Sequence, residues 1–220
     1  MARSKPRPDV VQGTRAKLLG VATDLVRAQG FCATSVDALC VAAGVTKGAF
    51  FHHFESKEAL GVAAAQEWSK RTGALFAAAP YHDHADPFDR VVAYLDFRAA
   101  LATGPTEAYT CLVGTMVQET FASSEPIRDA CRASIEGHAA TLEADIAAAL
   151  DRRGVTGISA QSLALHTQVV LQGAFVLAKA EASPAIVIDS VAHLKRYFAE
   201  LMAPVAPPDR DPATFTDRTH

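Results

Sequence analysis

The sequence has little of what builds a sheet, a membrane span or an enzyme's active site. Aromatic residues make up only 7% of its 220 positions, with a single Trp. No segment keeps a strand's period of two for long, so no sheet is expected. No stretch reaches the roughly 18 uninterrupted apolar residues of a membrane span. The N-terminus MARSKPRP lacks the apolar run of a secretory signal, and a cytoplasmic protein is expected. The four cysteines, Cys32, Cys40, Cys111 and Cys131, show no CxxC spacing; they suggest reduced, small core residues rather than a disulfide framework. GxSxG, Walker, HExxH and dinucleotide fingerprints are all missing, and Glu119, Glu136, Glu143 and Asp145 form no recognisable catalytic pairing. Neither an enzyme nor a bound cofactor is expected.

What is present is an apolar half, enough to bury a sizeable core, and an uneven charge. The net charge of −3 hides eight Lys/Arg against five Asp/Glu in residues 1–60, and thirteen against nineteen in the remainder. The basic end is the candidate for a polyanion.

Ala, Leu and Glu dominate the middle of the chain, which predicts an all-α fold of about nine helices. Residues 1–9 read as a flexible basic arm and residues 204–220, with Pro204, Pro207, Pro208 and Pro212, as an irregular tail. A first helix from Val10 or Thr14 is stopped by Gly30. Thr34 or Ser35 caps a short second helix that ends at Gly44, and Thr46 caps a third that runs from Lys47 to His53. Two short helices joined by a Gly-containing turn make a helix-turn-helix, which places a DNA-binding domain at 10–56.

Beyond it, residues 57–203 read as a helical domain. Helices are expected over about Lys57–Ala79, Pro87–Ala102, Thr106–Ala122 and from Ser124 to Gly154, then over Ser159–Ala182 and Pro184–Met202. The last two carry apolar stripes at steps of three and four: Leu163, His166, Val170, Gly173 and Leu177 on one, and Val187, Val191, Leu194, Phe198 and Leu201 on the other. Such seams suit either an internal core or the interface of a homodimer.

The run TSVDALCVAAGVTKGAFFHHFESKEAL, residues 34–60, resembles the DNA-binding signature of the tetracycline-repressor (TetR/AcrR) family. The residues support this on their own terms. Cys40 sits where a small side chain lets two helices approach, Gly44 suits a left-handed turn, and Val45 points back to the core. Phe50 and Phe54 are assigned to the core. The remaining side chains of the third helix, Thr46, Lys47, Gly48, Ala49, Phe51, His52 and His53, make little sense for burial and good sense against a duplex. Thr46 and Lys47 suit phosphates, while Gly48 and Ala49 permit close approach to base edges. The resemblance further implies phosphate contacts from Thr34 or Ser35, from position 51, from His52 and from Lys57. Phe51 departs from the usual Tyr and forgoes one hydroxyl. Arg3, Lys5 and Arg7 are either a groove-reaching arm or a solubilising tail.

The resemblance also implies a one-component regulator, expected to be a homodimeric repressor. It would release a double-stranded operator when a mostly apolar small molecule of unknown identity binds between the helices of the second domain. Candidate pocket residues are Tyr94, Phe97, Leu101, Cys111, Met116, Phe121, His138, Leu142, Gln168, Gln172 and Phe175, a mixture found equally in ordinary cores. An alternative keeps DNA binding but makes the signal a metal at His82, Asp83, His84 and Asp86, or an oxidant at Cys111 or Cys131.

Overall fold

The computed structural model describes residues 8–203, so the basic arm at Arg3, Lys5 and Arg7 and the proline-rich tail lie outside the described residues. Ten α-helices and one 3-10 turn (Pro80–Asp83) are present, and no strand occurs among the described residues. Three helices form the N-terminal head: α1 (Pro8–Gln29), α2 (Val36–Ala43) and α3 (Lys47–His53). The body follows with α4 (Lys57–Ala77), α5 (Pro87–Ala100), α6 (Thr106–Tyr109), α7 (Leu112–Thr120), α8 (Glu125–Arg152), α9 (Ala160–Glu181) and α10 (Ala185–Leu201).

Most boundaries follow local chemistry. The hydroxyls of Ser35, Thr46, Ser56, Ser124 and Ser159 each accept the backbone N–H three residues on. Asp86 caps α5 through the Phe88 and Asp89 amides, with Pro87 in the first turn. The departure from nine helices lies at residues 110–111, where one continuous helix was expected. Thr110 and Cys111 are both extended there. The Thr110 carbonyl, released from the helical ladder, accepts Arg27 Nε–H at 2.8 Å. Cys111 restarts the chain as a cap, its Sγ accepting the Gly114 N–H at 3.4 Å.

Two apolar clusters hold the molecule together. One joins the head to the body, packing Leu18, Leu39, Phe50, Phe54 and Leu60 against Leu112, Met116, Ile127 and Cys131. The other fills the body with Tyr94, Leu95, Leu142, Ile146, Leu171 and Phe198. The head is therefore not packed as a separate globule. A second tie is polar: the Glu119 carboxylate at the end of α7 accepts the Cys32 N–H at 2.7 Å and lies against Gly30, whose φ of 91° and missing β-carbon allow that approach.

The stripes on α9 and α10 divide between two faces. Val187, Val191, Leu194 and Phe198 are buried in the chain's own core, as is Leu163. His166, Gly173 and Leu177 are exposed instead, and Leu177 joins Leu165, Val169 and Val176 on an uncovered apolar face of α9. With both sides apolar, α9 is long and apolar enough by composition to cross a membrane, at a mean hydropathy of 1.3. Its packing on α8 and α10, and the polar Thr167 and Gln168 within it, account for that apolarity as core plus one open face.

Candidate functional site

The head orients α3 through a chain of local constraints. Gly44 ends α2 at φ 61°, ψ 41°, a left-handed conformation that strains any residue with a β-carbon. Thr46 then caps α3 by accepting the Ala49 N–H at 3.1 Å. Phe50 and Phe54 plug the third helix into the core, Phe50 with no exposed surface and Phe54 with almost none. What remains outside is Thr46, Lys47, Gly48, Phe51 and His52, with Ala49 and His53 half-exposed. Phe51 is 54% exposed, unusual for an aromatic side chain without a covering partner. Its ring meets Phe50 edge-on at 5.2 Å, so its direction is set.

Charge collects around this helix. Lys47 Nζ lies 2.7 Å from Asp37 Oδ1, both groups well exposed, and the carboxylate raises the lysine's pKa. The Arg15 guanidinium sits 5.3 Å over the Phe54 ring, and the Lys17 ammonium lies against Gly44. Desolvation, followed by the charges of His52 and Arg15, lowers the pKa of His53. Arg15 and Lys17 belong to this basic surroundings and were not picked out from the sequence; their positions on the polar side of α1 were the available signal.

Two expected contact residues are oriented otherwise. Thr34 is 1% exposed; its hydroxyl donates to the Gly30 carbonyl at 2.7 Å and accepts from Gln29 Nε2 at 3.2 Å. The turn after α1 consumes it, and exposed Ser35 is the cap of α2. Lys57 folds back, donating to the Cys32 carbonyl at 3.3 Å with its ammonium 4.5 Å over the Phe31 ring.

In the body, a partly open cavity of about 60 Å³ lies between α4, α5, α6, α7, α8 and α9. Of the residues expected there, Cys111, His138, Gln168, Gln172 and Phe175 line it. Five others lie elsewhere. Tyr94 stands behind it, wholly buried, and Leu142 is in the body core. Met116 belongs to the core that joins the head, Phe97 faces an outer groove beside Tyr81, and Phe121 is 61% exposed at the end of α7. Apart from Tyr94, whose hydroxyl bonds to the lining residues His138 and Gln168, their helical faces turn away from the cavity. Leu101 lines a larger adjoining pocket of about 400 Å³, together with Arg27, Trp68, Arg71, Thr72, Leu75, Phe76, Arg98, Ala108 and Tyr109. Trp68, Thr72, Phe76, Arg98 and Tyr109 line both spaces, so the larger one adjoins the smaller as a mouth on that side, while another outer pocket of about 250 Å³ borders it at Cys111, Gln172 and Phe175. The spacing of four from Trp68 to Thr72 to Phe76 was the sequence signal for this wall.

A polar relay crosses the cavity floor. Gln168 Nε2 donates to Tyr94 Oη at 3.4 Å, and Tyr94 Oη lies 3.0 Å from His138 Nε2. With its oxygen accepting from the amide, the Tyr94 hydroxyl is free to donate to a neutral imidazole. Burial, reinforced by the Arg98 charge, pushes the His138 pKa down to about 4.

The loop at His82, Asp83, His84 and Asp86 does not gather. His82 Nε2 is 3.0 Å from the Phe76 carbonyl, and Asp86 caps α5 and pairs with Arg152 at 3.3 Å. Among the described residues no three His, Cys, Asp or Glu side chains converge as a metal site. The cysteines also divide: Cys40 and Cys131 are buried core, Cys111 is half-buried, and Cys32, expected inside, is exposed. Burial pushes the Cys131 thiol up to about 12.

Residues 18–64 match the family model described as bacterial regulatory proteins, tetR family, and residues 87–193 match that of the C-terminal domain of LmrA/YxaF-like transcriptional regulators. The chain is 28% identical over 131 residues to the HTH-type transcriptional regulator LmrA of Bacillus subtilis, covering 59% of this chain and 69% of that protein. Escherichia coli NemR in its reduced form superposes with a TM-score of 0.73 at 25% identity, over 84% of this chain and 96% of that one. A TetR transcriptional regulator from Chloroflexus aurantiacus superposes at 0.74 with 25% identity, over 87% and 97%. With the head and the body each matched, and a helix-turn-helix whose third helix keeps one face outside the core, the chain belongs to the tetR family of DNA-binding transcriptional regulators.

Proposed function

We propose that this regulator is a ligand-responsive repressor. It acts as a cytoplasmic homodimer and leaves a pseudo-palindromic operator when a small, mostly apolar molecule occupies the body. The single observation carrying the reading is the bare face of α3, where Thr46, Lys47, Gly48, Phe51 and His52 are exposed beside a deeply buried Phe50. In a major groove, Ser35, Thr46, Lys47 and His52 bond phosphates, His53 lies at the rim, and Gly48 and Ala49 admit the base edges. Phe51 supplies apolar contact only. Thr34 serves by positioning the turn, and Lys57 contributes once it swings from the Cys32 carbonyl.

Residues 10–56 then form the reading head and 57–203 the sensing and dimerising body, a functional division across a shared core. The dimer forms through α9 and α10, because Leu165, Val169, Val176, Leu177 and Ile188 leave a row of apolar side chains that a lone chain would expose to water. An effector that fits the off-DNA state better lowers DNA affinity by its differential affinity for the two states.

The test is selection of bound fragments from random duplex DNA, followed by affinity measurement on the winning sequence with and without candidate ligands. Expected are two inverted half-sites about one helical turn apart. Recovery of no sequence above nonspecific background would falsify the reading.

A further inference from the structure

The mouth of the cavity carries three arginines and no acidic side chain. Arg27, Arg71 and Arg98 line it with Trp68, Phe76 and Tyr109. Arg98 is half-buried, its guanidinium held 5.2 Å from the Phe76 ring and 5.5 Å from the Phe175 ring. Among the described residues its guanidinium has these ring contacts but no ion pair and no hydrogen bond, so a fork of N–H donors lines the pocket without an acceptor. Asp24 and Glu107 act on Arg27 only at longer range, and neither lines the space. A second observation is independent of charge. Tyr109 is 9% exposed and lines both the mouth and the inner cavity, yet its buried hydroxyl has no partner. An orphaned hydroxyl in a pocket of this polarity is one that a ligand acceptor satisfies.

We propose that the effector is an organic anion with a flat apolar body, its acid group held by the Arg98 guanidinium and the Tyr109 hydroxyl. Arg71 stands at the rim to draw it in, and the rings of Trp68 and Phe76 receive the body. A planar guanidinium binds a carboxylate or sulfonate through two parallel bonds, and its stacking on two rings fixes the fork in advance. The mouth is of the size that takes a small-molecule ligand, whereas the inner cavity alone is too small. This rests on the ligand-responsive reading above and adds an acid group to it. The site also touches the head: Arg27 belongs to α1, and an anion at the mouth competes with the Thr110 carbonyl for its guanidinium.

Two probes with nearly the same body separate charge from burial: 1-anilinonaphthalene-8-sulfonate and uncharged N-phenyl-1-naphthylamine, titrated by fluorescence into the full-length protein. The sulfonate should bind about tenfold more tightly or better, the weight of one charge-assisted bond. Arg98→Met and Tyr109→Phe should each erase most of that preference while leaving the amine's affinity unchanged. Tyr109→Phe removes one oxygen and no charge, so nonspecific pairing of the sulfonate with surface arginines would be indifferent to it. Equal affinity for the two probes, or a preference that survives both substitutions, overturns the proposal. DNA affinity of the unsubstituted protein is read in parallel. If the preference behaves as expected but the sulfonate leaves DNA binding unmoved, the anion site stands and the ligand-responsive reading fails.

Discussion

Arg27 of α1 donates its Nε–H to the Thr110 carbonyl at 2.8 Å, where α6 and α7 part. The bond joins the element that carries the reading head to the one interruption in the cavity wall. Arg27 also lies 4.9 Å from the Trp68 ring, and desolvation lowers its pKa. A change in the wall therefore has a polar route to the head through this side chain, beside the shared apolar core and the Glu119–Cys32 tie.

Arg27→Met keeps much of the aliphatic packing and removes the donor. A buried carbonyl left unpaired costs about 1–3 kcal/mol. For a chain of this size that is a fall in Tm of roughly 2–4 °C per kcal/mol, read by thermal unfolding. An unchanged Tm would show the carbonyl to be satisfied by water and the tie to be dispensable.

The third helix gives predictions of opposite sign. Lys47→Ala should weaken DNA binding and flatten the plot of log K against log salt by about 0.9, one phosphate's worth. Asp37→Asn should do the reverse for affinity, since it frees Lys47 from its ion pair and removes an anion near the DNA. Phe51→Tyr should tighten binding several-fold, because the ring is already exposed and needs only the hydroxyl to reach a phosphate. Fluorescence anisotropy across a salt series checks all three; an unaltered salt slope in Lys47→Ala removes that lysine from the phosphate contacts.

The head was legible because its signals are local. Ser35, Gly44 and Thr46 each specify a cap or a turn by its own chemistry, and α3 runs from Lys47 to His53 as its spacing predicts. The body was legible in helix pattern and much less so in the cavity, whose lining depends on how each helix is rotated about its axis. Met116, Leu142 and Phe121 look like Phe175 in the sequence, but their faces point to the other core, the body core and solvent. The break at Thr110 and Cys111 carries no Gly or Pro to announce it. It is held by Arg27, a residue eighty-three positions away, and so is a tertiary feature.

His138 makes stability depend on pH in a definite direction. Its folded pKa near 4 lies below imidazole's ordinary value, so as pH falls the unfolded chain takes up a proton first. The stability held by the neutral ring is full above about pH 6.5 and is lost as pH falls toward 4, by at most on the order of 3 kcal/mol. His138→Gln keeps an acceptor for Tyr94 and removes the titration. Its stability should decline less between pH 7 and 5 than that of the unsubstituted chain in parallel denaturant titrations. Identical slopes would mean the ring titrates normally.

The cysteines differ enough in exposure to be told apart by alkylation. Cys32 should react fastest with a maleimide under native conditions and Cys111 more slowly, while Cys40 and Cys131 stay silent until unfolding. Mass mapping of the modified peptides decides it. Early labelling of Cys131 would contradict its complete burial in the core that joins head and body.

The open face of α9 should fail when a charge is placed on it. Val169 is 67% exposed and touches nothing the chain's own fold requires, so Val169→Glu should leave the folded monomer's helix content and Tm of unfolding nearly intact. In a dimer built on that face each new carboxylate is buried in apolar surroundings without a counter-charge, a desolvated and unpaired charge. Sedimentation should then show monomers where the unsubstituted protein gives dimers. DNA affinity should fall steeply as well, because one head alone loses the linked second half-site. A Val169→Glu protein that stays dimeric would place the interface elsewhere.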